Sequence, residues 1–168
     1  VWEQQVAFWV LAVAMAAAAI GVVRSPNIVH AALFLVVVLA GAAAQYILLA
    51  AEFVAWVQVL IYIGAVVVLF LFGIMLTRAP MRDDAGALDN NQRWSGLVVA
   101  LFVLGVLIAL LVSAFGGKKI HFSNALVALG RTSHVGTDIF RVYVVPFEVV
   151  SMVLLAALVG AVVLARKD

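Results

Sequence analysis

Gln58 and Tyr62 lie four residues apart in the stretch QVLIYIGAVVVLFLFG, and Gly64 follows two positions later. On a helix, positions i and i+4 share a face, so an amide and a phenol would stack one turn apart inside an apolar run. Two kinds of chemistry suit such a pair. It can join neighbouring helices through hydrogen bonds in lipid, or it can line a face open to water or to a proton route inside a larger assembly. The residue types leave both readings open. Gly64 carries two readings as well. It permits close helix approach, or it marks a π-bulge, a widening of the hydrogen-bond ladder that recurs at functional sites. Val66, Val67 and Val68 follow directly, and their β-branched side chains are stiff rather than strongly helix-forming.

The remaining polar groups at membrane depth are few: Gln45, Ser113 and Ser151. No Asp, Glu, Lys or Arg falls in the middle of an apolar segment. Charges at that depth mark ion paths or partners, so this chain is not expected to pump protons by itself. Two carboxylates sit at segment ends. Glu52 is either a solvated hairpin tip or an acid at the mouth of a polar path. Glu148 follows Pro146, which suits a first helical position, so Glu148 falls in the first turn and faces the positive dipole end; it is a capping carboxylate or a functional acid at the membrane edge. His30, His121 and His134 have no ligand-like spacing. The absence of cysteine excludes disulfides, thiolate-held iron–sulfur clusters and cysteine-based zinc sites. No nucleophile triad or phosphate-cradling glycine loop is present.

The elements that must hold these groups follow from composition. Of 168 residues, 68% are hydrophobic and 11% charged, with mean hydropathy +1.27. A soluble domain carries about a quarter charged residues, so this is an all-α, polytopic membrane protein. The net charge of +2, without a basic run, gives no footprint for nucleic acid. A crossing helix needs about 20 mostly apolar residues, and five stretches qualify: 6–23, 28–51, 53–77, 96–115 and 142–165. They form a single membrane domain. The first stretch lacks a basic start and a cleavage pattern, so it reads as a span rather than a signal peptide. RSPN at 24–27 is a tight turn in which Pro26 stops one helix and Asn27 caps the next. The polar loops are 78–95 and 116–141, and Asn124–Leu129 reads as a short interfacial helix. Ala-rich runs, and the pair Ala156 and Gly160, offer small surfaces for close packing among neighbours.

With five spans the chain ends lie on opposite sides. Arg24, Arg78, Arg82, Arg93, Arg166 and Lys167 share one side, and Lys118, Lys119, Arg131 and Arg141 the other. The positive-inside rule then places the N-terminus outside and the C-terminus in the cytoplasm.

Three blocks, SPNIVHAAL (25–33), AEFVAWVQVLIYIGAVVVLFLFGIML (51–76) and VYVVPFEVVSMVLLAALVGAVVLAR (142–166), resemble subunit J of bacterial proton-pumping NADH:quinone oxidoreductase, respiratory complex I, the relative of mitochondrial chain 6. The blocks come in the family's order, and the five-span plan agrees. The resemblance implies a bacterial plasma-membrane subunit of a proton-translocating translocase that carries no catalytic centre. It implies that the chain itself binds no cofactor, while the complex uses NADH, FMN, iron–sulfur clusters and quinone. It implies lipid and subunits A, H, K and N as neighbours, and a chain that is not an autonomous monomer. It further implies a π-bulge at Tyr62 and Gly64, whose conversion to a regular helix turns Val66 and Phe70. That turn would make or break a water path to carboxylates of subunit K. Some bacterial members carry a carboxylate at the position of Gln58, which cannot titrate. Two other readings stand beside this one: a membrane subunit of a related cation/proton antiporter or membrane-bound hydrogenase, and a scaffold without gating.

Overall fold

The computed structural model describes residues 2–77, 93–117 and 123–166. Among them there is no strand, and five helices are long and apolar enough to cross a membrane. In lipid no water can satisfy the backbone, so each span closes its own hydrogen bonds within one helix. Helix α1 covers Trp2–Arg24 and α2 covers Ile28–Leu48. Helix α3 runs Glu52–Leu76, α4 runs Arg93–Phe115 and a short α5 runs Asn124–Leu129. Helix α6 spans Thr132–Arg141 and α7 spans Val144–Ala165. At 1.5 Å per residue the 23 residues of α1 reach about 34 Å, enough for a hydrocarbon core of about 30 Å.

Helices α1, α2 and α3 form one packed body. Lipid offers no hydrophobic drive for helix association, so close approach of small residues has to supply the contact. Ala18, Ala32 and Ala43 are the most enclosed residues of α1 and α2. A Cβ on Gly21 would come within 2.9 Å of the Phe34 ring, and one on Gly41 would run into the Met15 side chain. Each glycine is the hole for a knob on the other helix. Gln45 adds a polar tie, its Nε2 donating to the Phe8 carbonyl at 3.4 Å.

The turn between α1 and α2 is set by its sequence. Asn27 has extended backbone (φ −98°, ψ 119°), and its Oδ1 accepts from the N–H of Val29 at 2.9 Å and of His30 at 3.4 Å. These are two of the donors that a helix start leaves unpaired.

The turn from α2 to α3 needs three residues, Leu49, Ala50 and Ala51. The Ala51 N–H donates to the Tyr46 carbonyl at 2.9 Å and the Ala50 N–H to the Ile47 carbonyl at 3.0 Å. This is the paired closure of a Schellman motif, with Ala50 at φ 58° in the place that glycine usually takes. Its side faces the segment between α4 and α7: the Gly130 carbonyl accepts from the Phe53 N–H at 3.4 Å. The expected loop 116–141 therefore holds two helices, α5 and α6, and α6 touches both the start of α3 and α7. Asn124–Leu129 forms the short helix expected there. Residues 78–92 and 118–122, with His121, Lys118 and Lys119, lie outside the described residues.

Helix α7 begins two residues earlier than Pro146 suggests. Val144 is its first residue and Pro146 its third, where a missing N–H still costs no intrahelical bond. The first ladder bond runs from the Phe147 N–H to the Tyr143 carbonyl at 3.0 Å. Phe140 and Phe147 meet edge to face with ring centroids 5.1 Å apart, which fixes the angle between α6 and α7. Helix α4 packs against no other element among the described residues, and α7 only against α6.

Candidate functional site

Helix α3 is not regular. Residues Gln58–Val67 form a π-helix, flanked by α-helical turns at Glu52–Val57 and Val68–Leu76. Tyr62 and Gly64 lie inside it. A π-helix pairs each N–H with the carbonyl five residues back, one more than an α-helix.

The widened turn can be read from burial. The residues of α3 most enclosed are Ala55, Gln58, Val67 and Ile74, with Ile63 and Leu71 half-buried between them. This stripe packs on α2, the element that follows α3 along its whole length. Its spacing opens to five residues between Gln58 and Ile63. A regular helix continuing from Ala55 and Gln58 would instead bring Tyr62, Val66 and Phe70 to the same side. In the π form these three turn away from α2 and stay 48%, 50% and 46% exposed. One residue of register is a rotation of roughly 100°. The π segment thus decides which of two side-chain sets meets α2: Ile63, Val67 and Leu71, or Tyr62, Val66 and Phe70.

Gly64 is exposed, and a Cβ built on it would meet only the Val59 carbonyl oxygen, at 3.6 Å. No neighbouring helix among the described residues uses the space. Of its two readings, close packing has no partner within the described residues, and the widened ladder is what the backbone adopts. Val66 to Val68 straddle the exit of the segment, which ends at Val67.

Gln58 sits at the entrance of the segment and is 9% exposed. Its amide has no hydrogen-bond partner among the described residues, and neither does the Tyr62 phenol. The pair is therefore not joined to a second helix among the described residues, and the two side chains differ in surroundings. Gln58 is enclosed against α2, whereas Tyr62 faces outward. A phenol in hydrocarbon is costly without a partner, and no described element of this chain supplies one on that outward side.

The two carboxylates do not join this site. Glu52 is exposed at the first position of α3, where the partial positive charge of the helix start favours an anion. Glu148 is the fifth residue of α7, so it lies beyond the first turn, and the capping role expected from Pro146 does not hold. Its backbone carbonyl accepts from the Ser151 hydroxyl at 2.7 Å. His30 is exposed in the first turn of α2. His134 pairs with Asp138 one turn along α6 at 3.2 Å. No group of three or more metal-binding side chains occurs among the described residues.

The sequence reading did not identify Gly130 or the left-handed Ala50. A Cβ on Gly130 would collide with the Ala50 carbonyl, so two backbones meet there. No side-chain pattern announces such a contact. The signal available was the lone glycine between two short helical stretches.

Comparison with known proteins gives a consistent set of likenesses. A family profile described as NADH-ubiquinone/plastoquinone oxidoreductase chain 6 matches residues 18–164. The chain is 40% identical over 169 residues to NAD(P)H-quinone oxidoreductase subunit 6 of the organellar chromatophore of Paulinella chromatophora, covering 98% of this chain and 79% of that one. It is 38% identical over 172 residues to NAD(P)H-quinone oxidoreductase chain 6 of Synechocystis sp., covering 98% and 82%. It is also 38% identical over 164 residues to F(420)H(2) dehydrogenase subunit J of Methanosarcina mazei, covering 96% and 90%.

Proposed function

The chain belongs to the NADH-ubiquinone/plastoquinone oxidoreductase chain 6 family, and from that premise we propose that it is a membrane-arm subunit of respiratory complex I that helps couple quinone reduction to proton translocation. Helix α3 is the moving part. The observation that carries this reading is the π segment Gln58–Val67, which holds Tyr62, Val66 and Phe70 one register step away from α2. Conversion to a regular helix turns the half of α3 beyond the segment by roughly 100°. That exchanges apolar Val66 and Phe70 for other side chains on the outward face and so opens or closes a water path to a neighbouring subunit.

The chain contributes no redox chemistry of its own in this scheme. Hydride and electron transfer belong to NADH, FMN, iron–sulfur clusters and quinone held by other subunits, since a chain without cysteine has no thiolate to hold a cluster. The relatives support this division. Two are named for NAD(P)H and one for F(420)H(2), so the electron donor differs while this subunit type is shared. The titratable groups come from neighbours too in this scheme, with subunits A, H, K and N as the proposed contacts and the carboxylates of K as the end of the path. Gln58, which cannot carry charge, orients water rather than relays a proton. In a bacterial plasma membrane the N-terminus lies outside and the C-terminus in the cytoplasm.

The test replaces Tyr62 by Phe, or Gly64 by Leu, in the intact complex, with NADH-driven quinone reduction and proton pumping measured in sealed vesicles. Pumping is expected to fall relative to electron transfer in both variants. Parental pumping and turnover in both would remove the gating role.

A further inference from the structure

A helix that changes register in its middle has to turn one of its two halves, and the half that is held less firmly is the one that turns. The two halves of α3 are held differently. The first half leaves α2 through the three-residue Schellman turn at Leu49–Ala51 and buries Ala55 and Gln58. It is also gripped from outside. The Gly130 carbonyl accepts from the Phe53 N–H at 3.4 Å, satisfying a donor that the start of α3 leaves unpaired. Ala51, which precedes the helix, makes no side-chain cap. The approach is so close that any Cβ on residue 130 would run into the Ala50 carbonyl. Gly130 stands between α5 and α6, so the grip ties the start of α3 to a separate part of the chain. Beyond the π segment, which ends at the buried Val67, Ile74 is the only fully enclosed residue, and no element other than α2 touches that half among the described residues.

We propose that Gly130 is a positioning residue: it clamps the first half of α3, so that conversion of the π segment turns the second half alone. The proposal rests on the gating reading above and adds to it which half moves and what holds the other still. Without the clamp, the same change of register is shared between the halves, and the outward face beyond Val67 turns less. Electron transfer does not need the clamp, whereas the link between electron transfer and pumping does.

The experiment uses the intact complex with a genetically encoded benzophenone residue at Trp56 or at Leu69, both exposed and on opposite sides of the π segment. Photoadducts of this chain are identified by mass spectrometry at rest and during NADH-driven turnover. In the parent, adducts at position 69 are expected to change with turnover while those at position 56 do not. In Gly130→Ala, adducts at position 56 also change, and fewer protons are pumped per NADH oxidised while quinone reduction continues. Phe53→Pro removes the donated N–H within the first helical turn, where proline is tolerated, and is expected to act in the same way if Gly130→Ala does not assemble. If neither position changes in the parent, the gating reading fails and the clamp with it. If both change in the parent, gating stands and the clamp is overturned. If position 56 stays constant in the variants, α3 is held by something other than Gly130, and the proposal is likewise overturned.

Discussion

Gly64→Ala separates a hinge from a packing contact at one position. In the π form the added methyl meets only the Val59 carbonyl oxygen at 3.6 Å, an ordinary van der Waals distance, so this chain accepts it without rearrangement. In a regular α-helix, alanine is favoured over glycine by about 0.8–1.0 kcal/mol. If none of that gain accrues to the π form, the balance between the two forms moves toward the α-helix by up to about fivefold. If half accrues to both, the shift is about twofold. The expected phenotype is a complex that assembles normally, reduces quinone, and pumps protons less efficiently by a factor within that range. The assay is proton uptake or release in sealed vesicles, normalised to NADH oxidised, with the amount of this chain per complex measured alongside. Two results refute the reasoning. Failure to assemble would mean that a neighbouring subunit packs tightly on Gly64, which makes it a contact glycine. Normal assembly with parental pumping would mean that the α–π balance does not control coupling.

Other substitutions probe the remaining features. Gln58→Leu removes an amide that has no partner among the described residues but whose polar atoms are not fully buried, so its loss leaves no unpaired group behind and costs this chain little stability. The detergent-solubilised complex should therefore resist heat about as well as the parent while pumping falls, and loss of heat resistance would show that Gln58 is hydrogen-bonded in the assembly. Ala50→Gly relieves a left-handed residue that costs about 1–2 kcal/mol, set against about 0.4–1 kcal/mol of added chain freedom. A small rise in resistance of the 48–52 turn to proteolysis is expected, and a fall would contradict the Schellman geometry. Gly41→Leu drives a side chain into Met15; overpacking costs about 1–3 kcal/mol, and the level of the chain in membranes, read by immunoblot, should drop.

The parts of this fold that rest on local chemistry were legible in the sequence. Arg24 to Asn27 spelled out a helix stop and a cap because proline and asparagine act on their own neighbours. The five apolar runs announced themselves because the bilayer demands length and hydrophobicity together. The site was half legible. Tyr62, Gly64 and the three valines marked a weak place in α3, but whether the weakness served packing or a widened turn depended on what lies across from Gly64, which is a tertiary fact. Pro146 misled for a physical reason: any of the first three helical positions tolerates a missing N–H, so proline marks the first turn and not its first residue. Helix α6 was hidden because Thr132–Arg141 mixes serine, threonine, histidine and charge with only Val135, Ile139 and Phe140 as apolar anchors. The clamp at Gly130 had no legible partner, since the atoms it meets belong to the backbone.

Helix α4 has no packing partner among the described residues of its own chain. It crosses the thickness of a bilayer without touching another described element of its own polypeptide, and every described side chain along it is exposed. No described element of this chain fixes its place, and the connection to α5 makes that place matter for the clamp. A copy of this chain synthesised in excess over its neighbours would carry a correctly formed α1–α3 body beside an unanchored span. Surveillance proteases of the membrane would read that span as an orphan. The supply of neighbouring subunits, alongside the stability of the α1–α3 body, would then set how much of it survives.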